Sequence, residues 1–135
     1  MTAKPDVLAE IRGLRSRLPY VTGVLVATVD GLLVAHDTRG PEPDTVAAMS
    51  AAQLGLGQQI ASGVAHGDFL ETVTRTTSGY LAVFAAGRAA LLTVTAGREL
   101  NLGRLHHEAR PVAARVGALI APVPRPLTGG PENRR

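Results

Sequence analysis

The stretch VTGVLVATVDGLLVA, residues 21–35, joins two apolar, β-prone runs through Asp30-Gly31. Asp-Gly between such runs predicts a β-hairpin with a two-residue type I′ turn, because glycine adopts the positive φ of that turn at no steric cost. Both runs are apolar at nearly every position, which is typical of strands that are covered on both faces. We therefore expect a sheet that contains this hairpin and has helices packed on it.

A helix is predicted before the hairpin, with Asp6 as its N-cap and Pro19 as its stop. Its apolar residues recur at steps of three and four, which places them on one face. These residues are Val7, Ile11, Leu14 and Leu18. This helix is expected to cover one face of the sheet.

Residues 45–64 predict a second helix, with Asp44 as its N-cap. Its stripe at steps of three and four consists of Val46, Met49, Gln53, Leu56 and Ile60. The remaining positions are mostly Ala, Gly and Ser, although glycine inside a helix costs about 1 kcal/mol relative to alanine. Either the small residues let the helix lie close on its own sheet, or the helix packs both on that sheet and on a partner's copy of itself.

Three short strands are predicted at residues 69–76, 80–86 and 89–95, with turns at Ser78-Gly79 and Gly87-Arg88. The first of them is the most polar strand of the chain and carries neither proline nor lysine to block pairing. We expect it to be an open edge strand, which is either solvated or used for strand addition.

A last helix is predicted after Asn101, its candidate N-cap, and Pro111 predicts a kink or a short break near Arg110. The apolar stripe of this helix is Leu102, Leu105, Ala109, Val112, Val116 and Leu119. The element order is therefore α-β-β-α-β-β-β-α, an α+β fold. One five-stranded antiparallel sheet, with the first and third helices on one face and the second on the other, satisfies every stripe.

Composition divides the chain into a disordered N-terminus at residues 1–5, a domain at 6–121 and a disordered Pro/Gly-rich tail at 122–135. The net charge of +3 comes from the ends, because residues 5–121 hold ten Arg and ten acidic residues. With only two Tyr and two Phe, the chain offers no stacking platform, so nucleic-acid binding is not expected. There is no cysteine, signal peptide or apolar run of about twenty residues, so we expect a cytoplasmic protein.

The polar residues indicate no catalytic, metal or cofactor site. His106 and His107 are adjacent and therefore point to different sides of a helix, whereas metal ligands need a spacing such as i, i+4. Glu71 is expected to face outward from its strand, and Arg104 with Glu108 to form a solvated i, i+4 ion pair. No phosphate-binding loop or nucleophile motif is present. The sequence favours a binding module over an enzyme.

The element order and four stretches resemble the roadblock family, which includes roadblock-type dynein light chains and the bacterial MglB-type partners of small Ras-like GTPases. The resemblance covers residues 7–120, is closest to the actinobacterial branch, and implies a roadblock/profilin-like sandwich. It is carried by LPYVTGVLVATVDGLLVA (18–35), VAAMSAAQLGLGQQIASGV (46–64), the strand block (69–95) and LNLGRLHHEAR (100–110).

The resemblance implies a homodimer, in which the third strands pair across a twofold axis and the second helices pack side by side. Both the open polar strand and the small-sided helix agree with that arrangement. A C2 interface uses the same patch on both subunits. The residues expected there are Val46, Met49, Gln53, Leu56, Ile60, Phe69, Leu70, Glu71, Thr72, Val73 and Thr74.

The resemblance also implies a non-catalytic regulator or scaffold of bacterial signalling that binds a small Ras-like GTPase. Some members stimulate GTP hydrolysis. Genes of the actinobacterial branch often lie beside those for a sensor kinase-like protein and a small GTPase, so the resemblance also implies a sensor kinase-like protein of the same operon as a partner. No motif marks an arginine finger among Arg39, Arg75, Arg88 and Arg98. The alternatives are a small-ligand sensor and a general protein-interaction scaffold. Membrane contact is expected to be indirect only.

Overall fold

The computed structural model describes residues 3–120, so the tail expected at 122–135 lies outside the described residues. The elements follow the predicted order: α1 (Ala3–Arg17), β1 (Val21–Thr28), β2 (Leu33–Thr38), α2 (Pro43–Gly63), β3 (Glu71–Arg75), β4 (Gly79–Ala86), β5 (Ala90–Gly97) and α3 (Leu102–Ile120). Every predicted helix and strand is present, with ends displaced by a few residues.

The five strands form one antiparallel sheet in the order β2-β1-β5-β4-β3. The apolar strand β1 lies between β2 and β5, and its residues from Gly23 to Ala27 are buried. The polar strand β3 forms one edge, as predicted. The expectation that both runs of the hairpin are covered on both faces is wrong for β2, which forms the other edge and buries only Ala35. The two edge strands therefore flank a buried, mostly apolar centre.

The helices cover both faces of the sheet, which confirms the predicted layers. α1 and α3 pack on one face over a large core, in which the predicted stripe of α1 is almost completely buried. α2 packs on the opposite face over a smaller core that includes Leu25, Leu54, Val83 and Leu91. α1 and α3 run side by side in opposite directions, as two ion pairs between them show: Arg17 with Glu108, and Glu10 with Arg115.

The β1–β2 hairpin is present, but the predicted two-residue type I′ turn is wrong. Gly31 N–H donates to Thr28 O (2.9 Å), and Thr28 N–H donates to Leu32 O (2.8 Å). Gly31 has φ +94°, whereas Asp30 is not among the residues with positive φ. The loop is thus a turn over residues 28–31 that ends on a left-handed glycine, the common three-residue alternative. Glycine is needed there, at one position rather than two.

Two predicted N-caps are also wrong, because both helices begin earlier. α1 begins at Ala3, so Asp6 lies in its first turn, and residues 3–5, expected to be disordered, are helical. α2 begins at Pro43 and is capped by Glu42, whose Oε1 accepts the Thr45 N–H (3.1 Å), so Asp44 is not the cap. Proline suits the first helical turn, where its missing N–H costs nothing.

The third helix begins as predicted, since Asn101 Oδ1 accepts the Arg104 N–H (3.0 Å). The break expected near Arg110 is absent, because α3 stays helical through Pro111 from Leu102 to Ile120. Proline removes the N–H that would bind the carbonyl of His107, but both residues are on the exposed side, where water can bind that carbonyl. The buried stripe on the other side of the helix is uninterrupted.

Candidate functional site

The second helix presents two apolar faces. Its inner face, buried on the sheet, consists of Val46, Ala47, Ser50 and Leu54. Its outer side carries large apolar residues that are more than half exposed: Met49 (51%), Leu56 (59%), Ile60 (57%) and Val64 (52%). A single surface leucine needs no explanation, but three large apolar residues on one helix, with Val64 at its C-cap, form a patch of the kind that marks interaction sites. We call these four residues the outer stripe.

Small side chains and one hydroxyl pair explain how the inner face lies close to the sheet. Ser50 and Thr93 of β5 are both buried, and Thr93 Oγ1 donates to Ser50 Oγ (2.8 Å). Gly57 lies directly under the ring of Phe69, where a β-carbon would overlap the ring. The first interpretation of the small residues, close packing on the chain's own sheet, is therefore correct for the inner face, and the outer stripe is left free for the second.

The predicted stripe of α2 is split between these surfaces. Met49, Leu56 and Ile60 lie in the outer stripe, whereas Val46 is only 4% exposed and belongs to the core. Gln53 lies between them, and its Nε2 donates to Thr74 Oγ1 of β3 (2.9 Å). This bond places the outer stripe and the β3 edge on the same side of the molecule.

The Gln53 amide is only partly satisfied. Its Oε1 is buried and accepts no hydrogen bond from any group in residues 3–120. A buried acceptor without a donor costs about 1–3 kcal/mol. Between α2 and β3, therefore, the Gln53 Oε1 atom is buried without a hydrogen-bond donor among residues 3–120.

The edge strand β3 divides its side chains between the two helical layers. Thr74 contacts α2 through Gln53, and Val73 packs against the core under α1 and α3. Thr72, like Val73 and Thr74, is half-buried. Phe69, just before the strand, packs under α2, whereas Leu70 is 75% exposed. The predicted interface residues at 69–74 thus lie along one edge, with Leu70 its most exposed apolar member.

Glu71 does not face outward as predicted, because Arg110 of α3 binds its carboxylate and His106 of the same helix lies beside it. Arg110 donates from Nε to Oε1 (3.0 Å) and from Nη2 to Oε2 (2.9 Å), and His106 Nδ1 lies 2.8 Å from Oε2. The pKa of Glu71 is lowered, chiefly by the Arg110 hydrogen bonds, while burial opposes this and the charges of His106 and Arg110 assist it. The carboxylate therefore joins the edge strand to α3.

This cluster was not predicted from the sequence, although the spacing of its two basic residues is informative. His106 and Arg110 are four residues apart and lie on one side of a helix, so their spacing could have indicated a shared acidic partner. The predicted Arg104–Glu108 pair is also wrong. Glu108 binds Arg17 Nε (3.0 Å), and Arg104 Nη2 donates to the Arg17 carbonyl (2.9 Å), because α1 ends beside the start of α3.

The described residues show neither a metal-binding cluster nor a membrane-spanning helix. Between residues 3 and 120, no three His, Cys, Asp or Glu side chains lie close enough to hold a metal ion. No helix in the same range is long and apolar enough to cross a bilayer.

Comparisons with known proteins agree with this fold. The sequence model of the Roadblock/LC7 domain matches residues 8–96. A Roadblock/LC7 domain structure from Streptomyces avermitilis superposes with a TM-score of 0.76 at 28% identity, covering 81% of this chain and 92% of that one. A search of curated protein sequences found no match.

Two MglB structures show the same fold at lower identity. The gliding protein MglB of Thermus thermophilus has a TM-score of 0.80 at 18% identity, covering 88% of this chain and 91% of that one. MglB of Myxococcus xanthus has a TM-score of 0.79 at 12% identity, covering 92% and 97%. The described helices and strands thus have the arrangement found in these proteins.

Proposed function

Because the chain belongs to the Roadblock/LC7 domain family, we propose that it is a non-catalytic, homodimeric regulator or scaffold for a small Ras-like GTPase in bacterial signalling. The observation that carries this proposal is the outer stripe of α2 beside the open β3 edge. In isolation the chain exposes Met49, Leu56 and Ile60 by more than half. A second copy would cover this apolar surface with the same surface of its own.

The dimer we propose pairs β3 with its twofold mate and packs the two α2 helices side by side. The residues at its centre are Met49, Leu56, Ile60 and Leu70, each of which is more than half exposed in the single chain. Gln53, Phe69, Thr72 and Thr74 contribute their half-buried surfaces. Val46, Val73 and Glu71 support the interface from behind, since their side chains contact the chain's own core or α3.

The GTPase part of the proposal rests on the family resemblance. A dimer of this kind would be a platform that binds the GTPase and, where it stimulates hydrolysis, repositions the GTPase's own catalytic residues. Arg39, Arg75, Arg88 and Arg98 are all exposed. None of them is held in a cluster that would single it out as an arginine finger among residues 3–120.

The dimer is tested by light scattering on wild type and on Leu56→Glu and Ile60→Glu. Each change places a charge in the outer stripe, so we expect the mass to fall from twice that of the chain to that of one chain. Gln58→Glu is the matched control, because Gln58 is exposed, lies two residues from Ile60 and is therefore on the other side of the helix. Circular dichroism should show all three variants folded. A Leu56→Glu/Ile60→Glu double variant with the mass of two chains would exclude α2 from the dimer.

The GTPase is tested by co-elution with the small Ras-like GTPases encoded in the same genome, each loaded with GDP or with a GTP analogue. We expect a complex of two copies of this chain with the GTPase that forms in one nucleotide state. A stable dimer that binds the GTPase in neither state would retain the dimer and reject the GTPase. The general scaffold and the small-ligand sensor would then be the functions to test.

A further inference from the structure

The strand β2 is the second open edge of the sheet, on the side away from β3. It pairs only with β1 in the described part of the chain, so its outer backbone groups have no strand beside them. The pairing is regular from Ala35 to Thr38, opposite Val26 to Gly23, and the one irregularity falls at Val34. A dimer through β3 would leave this edge open in both subunits.

This edge carries few of the devices that prevent strand addition. Residues 33–38 include neither proline nor lysine. The only acid, Asp37, is bound by Arg15 Nη1 of α1 at 2.7 Å, so its charge is partly neutralised. Natural edge strands are usually blocked by lysine, proline, an inward-facing charge or a pronounced bulge. The regular stretch of β2 therefore remains able to accept another extended chain.

A groove of about 340 Å³ runs between β2 and the N-terminal half of α1. It is lined by Lys4, Leu8, Leu33, Val34, Ala35 and His36. Leu8 and Val34 are half-buried apolar side chains that pack against the core and still present surface to the groove. The groove could therefore hold the alternate apolar side chains of a strand added at β2.

The polar residues of the groove favour an acidic occupant. Its two ionisable residues among those described, Lys4 and His36, are both basic and exposed. Lys4 also lies in the first turn of α1, where the free backbone N–H groups give the helix a partial positive charge. Asp6, in the same turn, does not line the groove, so the described lining carries two basic side chains and no acidic one, which complements a carboxylate.

We propose that β2 binds an extended, acidic segment of another protein, which adds to the sheet as a sixth strand. Its backbone pairs with Ala35–Thr38, its alternate apolar side chains occupy the groove between α1 and β2, and its carboxylates lie near Lys4 and His36. This is the strand-addition mode of peptide recognition, with main-chain bonds for affinity and a side-chain groove for specificity. The inference does not depend on the proposed GTPase.

The test uses the full chain and the peptide acetyl-EVEVEV-amide, followed by NMR titration of backbone amides. We expect saturable shifts at residues 33–38 and 4–8. The same peptide N-methylated at every residue has no N–H to donate and should not bind, and acetyl-KVKVKV-amide should bind more weakly. Binding of the N-methylated peptide with equal affinity, or shifts at β3 instead of β2, would overturn the proposal.

Lys4→Glu supplies the matched mutational test, with Arg12→Glu as its control. Both residues are exposed on α1, and the charge changes by the same amount, but only Lys4 lines the groove. We expect Lys4→Glu to weaken the peptide about fivefold at low salt, the size of one exposed ion pair, and Arg12→Glu to leave the affinity unchanged. Equal effects of the two variants would show that the affinity depends only on the net charge of the protein and that the peptide does not bind in the groove. An unchanged oligomer mass for Lys4→Glu would keep this result separate from the dimer test.

Discussion

The helices α1 and α2 pack on opposite faces of one sheet but arrange their polar and apolar residues differently. α1 buries Val7, Ile11 and Leu14 completely and leaves Leu8 half-buried, and Glu10 on its exposed side is bound to Arg115 of α3. α2 buries small residues such as Ala47 and Ser50 and leaves Leu56 and Ile60 more than half exposed. The α1–α3 layer thus covers most of its apolar surface within one chain, whereas α2 leaves an apolar surface exposed, which the proposed dimer would cover.

The largest expected effect is on the free energy of unfolding, when a leucine is truncated to alanine in each of the two cores. Leu105→Ala empties a completely buried site on α3, whereas Leu54→Ala empties a site in the smaller core under α2. We expect the free energy of unfolding to fall by about 4–5 kcal/mol for Leu105→Ala and about 2–3 kcal/mol for Leu54→Ala, because a small core near the surface can collapse on the cavity. Urea unfolding measures both values. An equal or larger loss for Leu54→Ala would contradict the ranking of the two layers.

The next effect concerns the buried hydroxyl pair under α2. Ser50→Ala removes the acceptor of the Thr93 Oγ1 hydrogen bond and leaves that hydroxyl buried without a partner, so we expect a loss of about 1–3 kcal/mol. Thr93→Val in the same background removes the stranded hydroxyl and should recover much of the loss. Urea unfolding of the two single variants and the double variant gives the coupling energy. Simple additivity of the two changes would show that the pair does not hold α2 to the sheet.

Two glycines of α2, Gly57 and Gly55, differ in the space available for a side chain. A methyl group at Gly57 would overlap the Phe69 ring, whereas one at Gly55 would meet nothing within 4 Å among the described residues. We expect Gly57→Ala to destabilise the chain by about 1–2 kcal/mol through overpacking. Gly55→Ala should stabilise it by up to about 1 kcal/mol, the helix propensity difference. Thermal unfolding of both variants tests the sign; a stabilising Gly57→Ala would mean that Phe69 moves aside freely.

The smallest effect is the pH dependence contributed by Glu71. Its folded-state pKa is lowered from the ordinary value of 4.5, so the carboxylate adds stability above that value and loses it as the pH falls through the folded-state pKa. We therefore expect wild type to lose more stability than Glu71→Gln between about pH 6 and pH 3. Asp68→Asn, at an exposed carboxylate, controls for the loss of one charge. Parallel pH profiles for wild type and Glu71→Gln would show that the Arg110 pairing adds nothing to stability.

The sequence predicted the elements well because their signals are local. The spacing of Val7, Ile11 and Leu14 requires one buried face of a helix, and the structure buries all three completely. The polar composition of β3 correctly indicated an edge. One error lies at the start of α2, where Asp44 has the residue type preferred at an N-cap and Glu42 does not, yet the helix begins at Pro43 and Glu42 is the cap.

The candidate site was predicted only in part, because periodicity cannot distinguish the core side of a helix from an apolar outer side. The stripe from Val46 to Ile60 was expected as one surface, yet Val46 is in the core and Ile60 is exposed. The Glu71 cluster required contacts across 39 positions of the chain, to Arg110. No local pattern encodes such a distance.

By itself, the sequence determined the α-β-β-α-β-β-β-α order, the central place of the apolar strand and the polar edge, since each follows from side chains close together in the chain. Only the tertiary structure decided which side of α2 faces water, which charges pair, and that β2 is left open beside a basic groove. These depend on how the helices are turned against the sheet. That orientation results from many contacts between residues far apart in the sequence, so the sequence of one segment does not predict it.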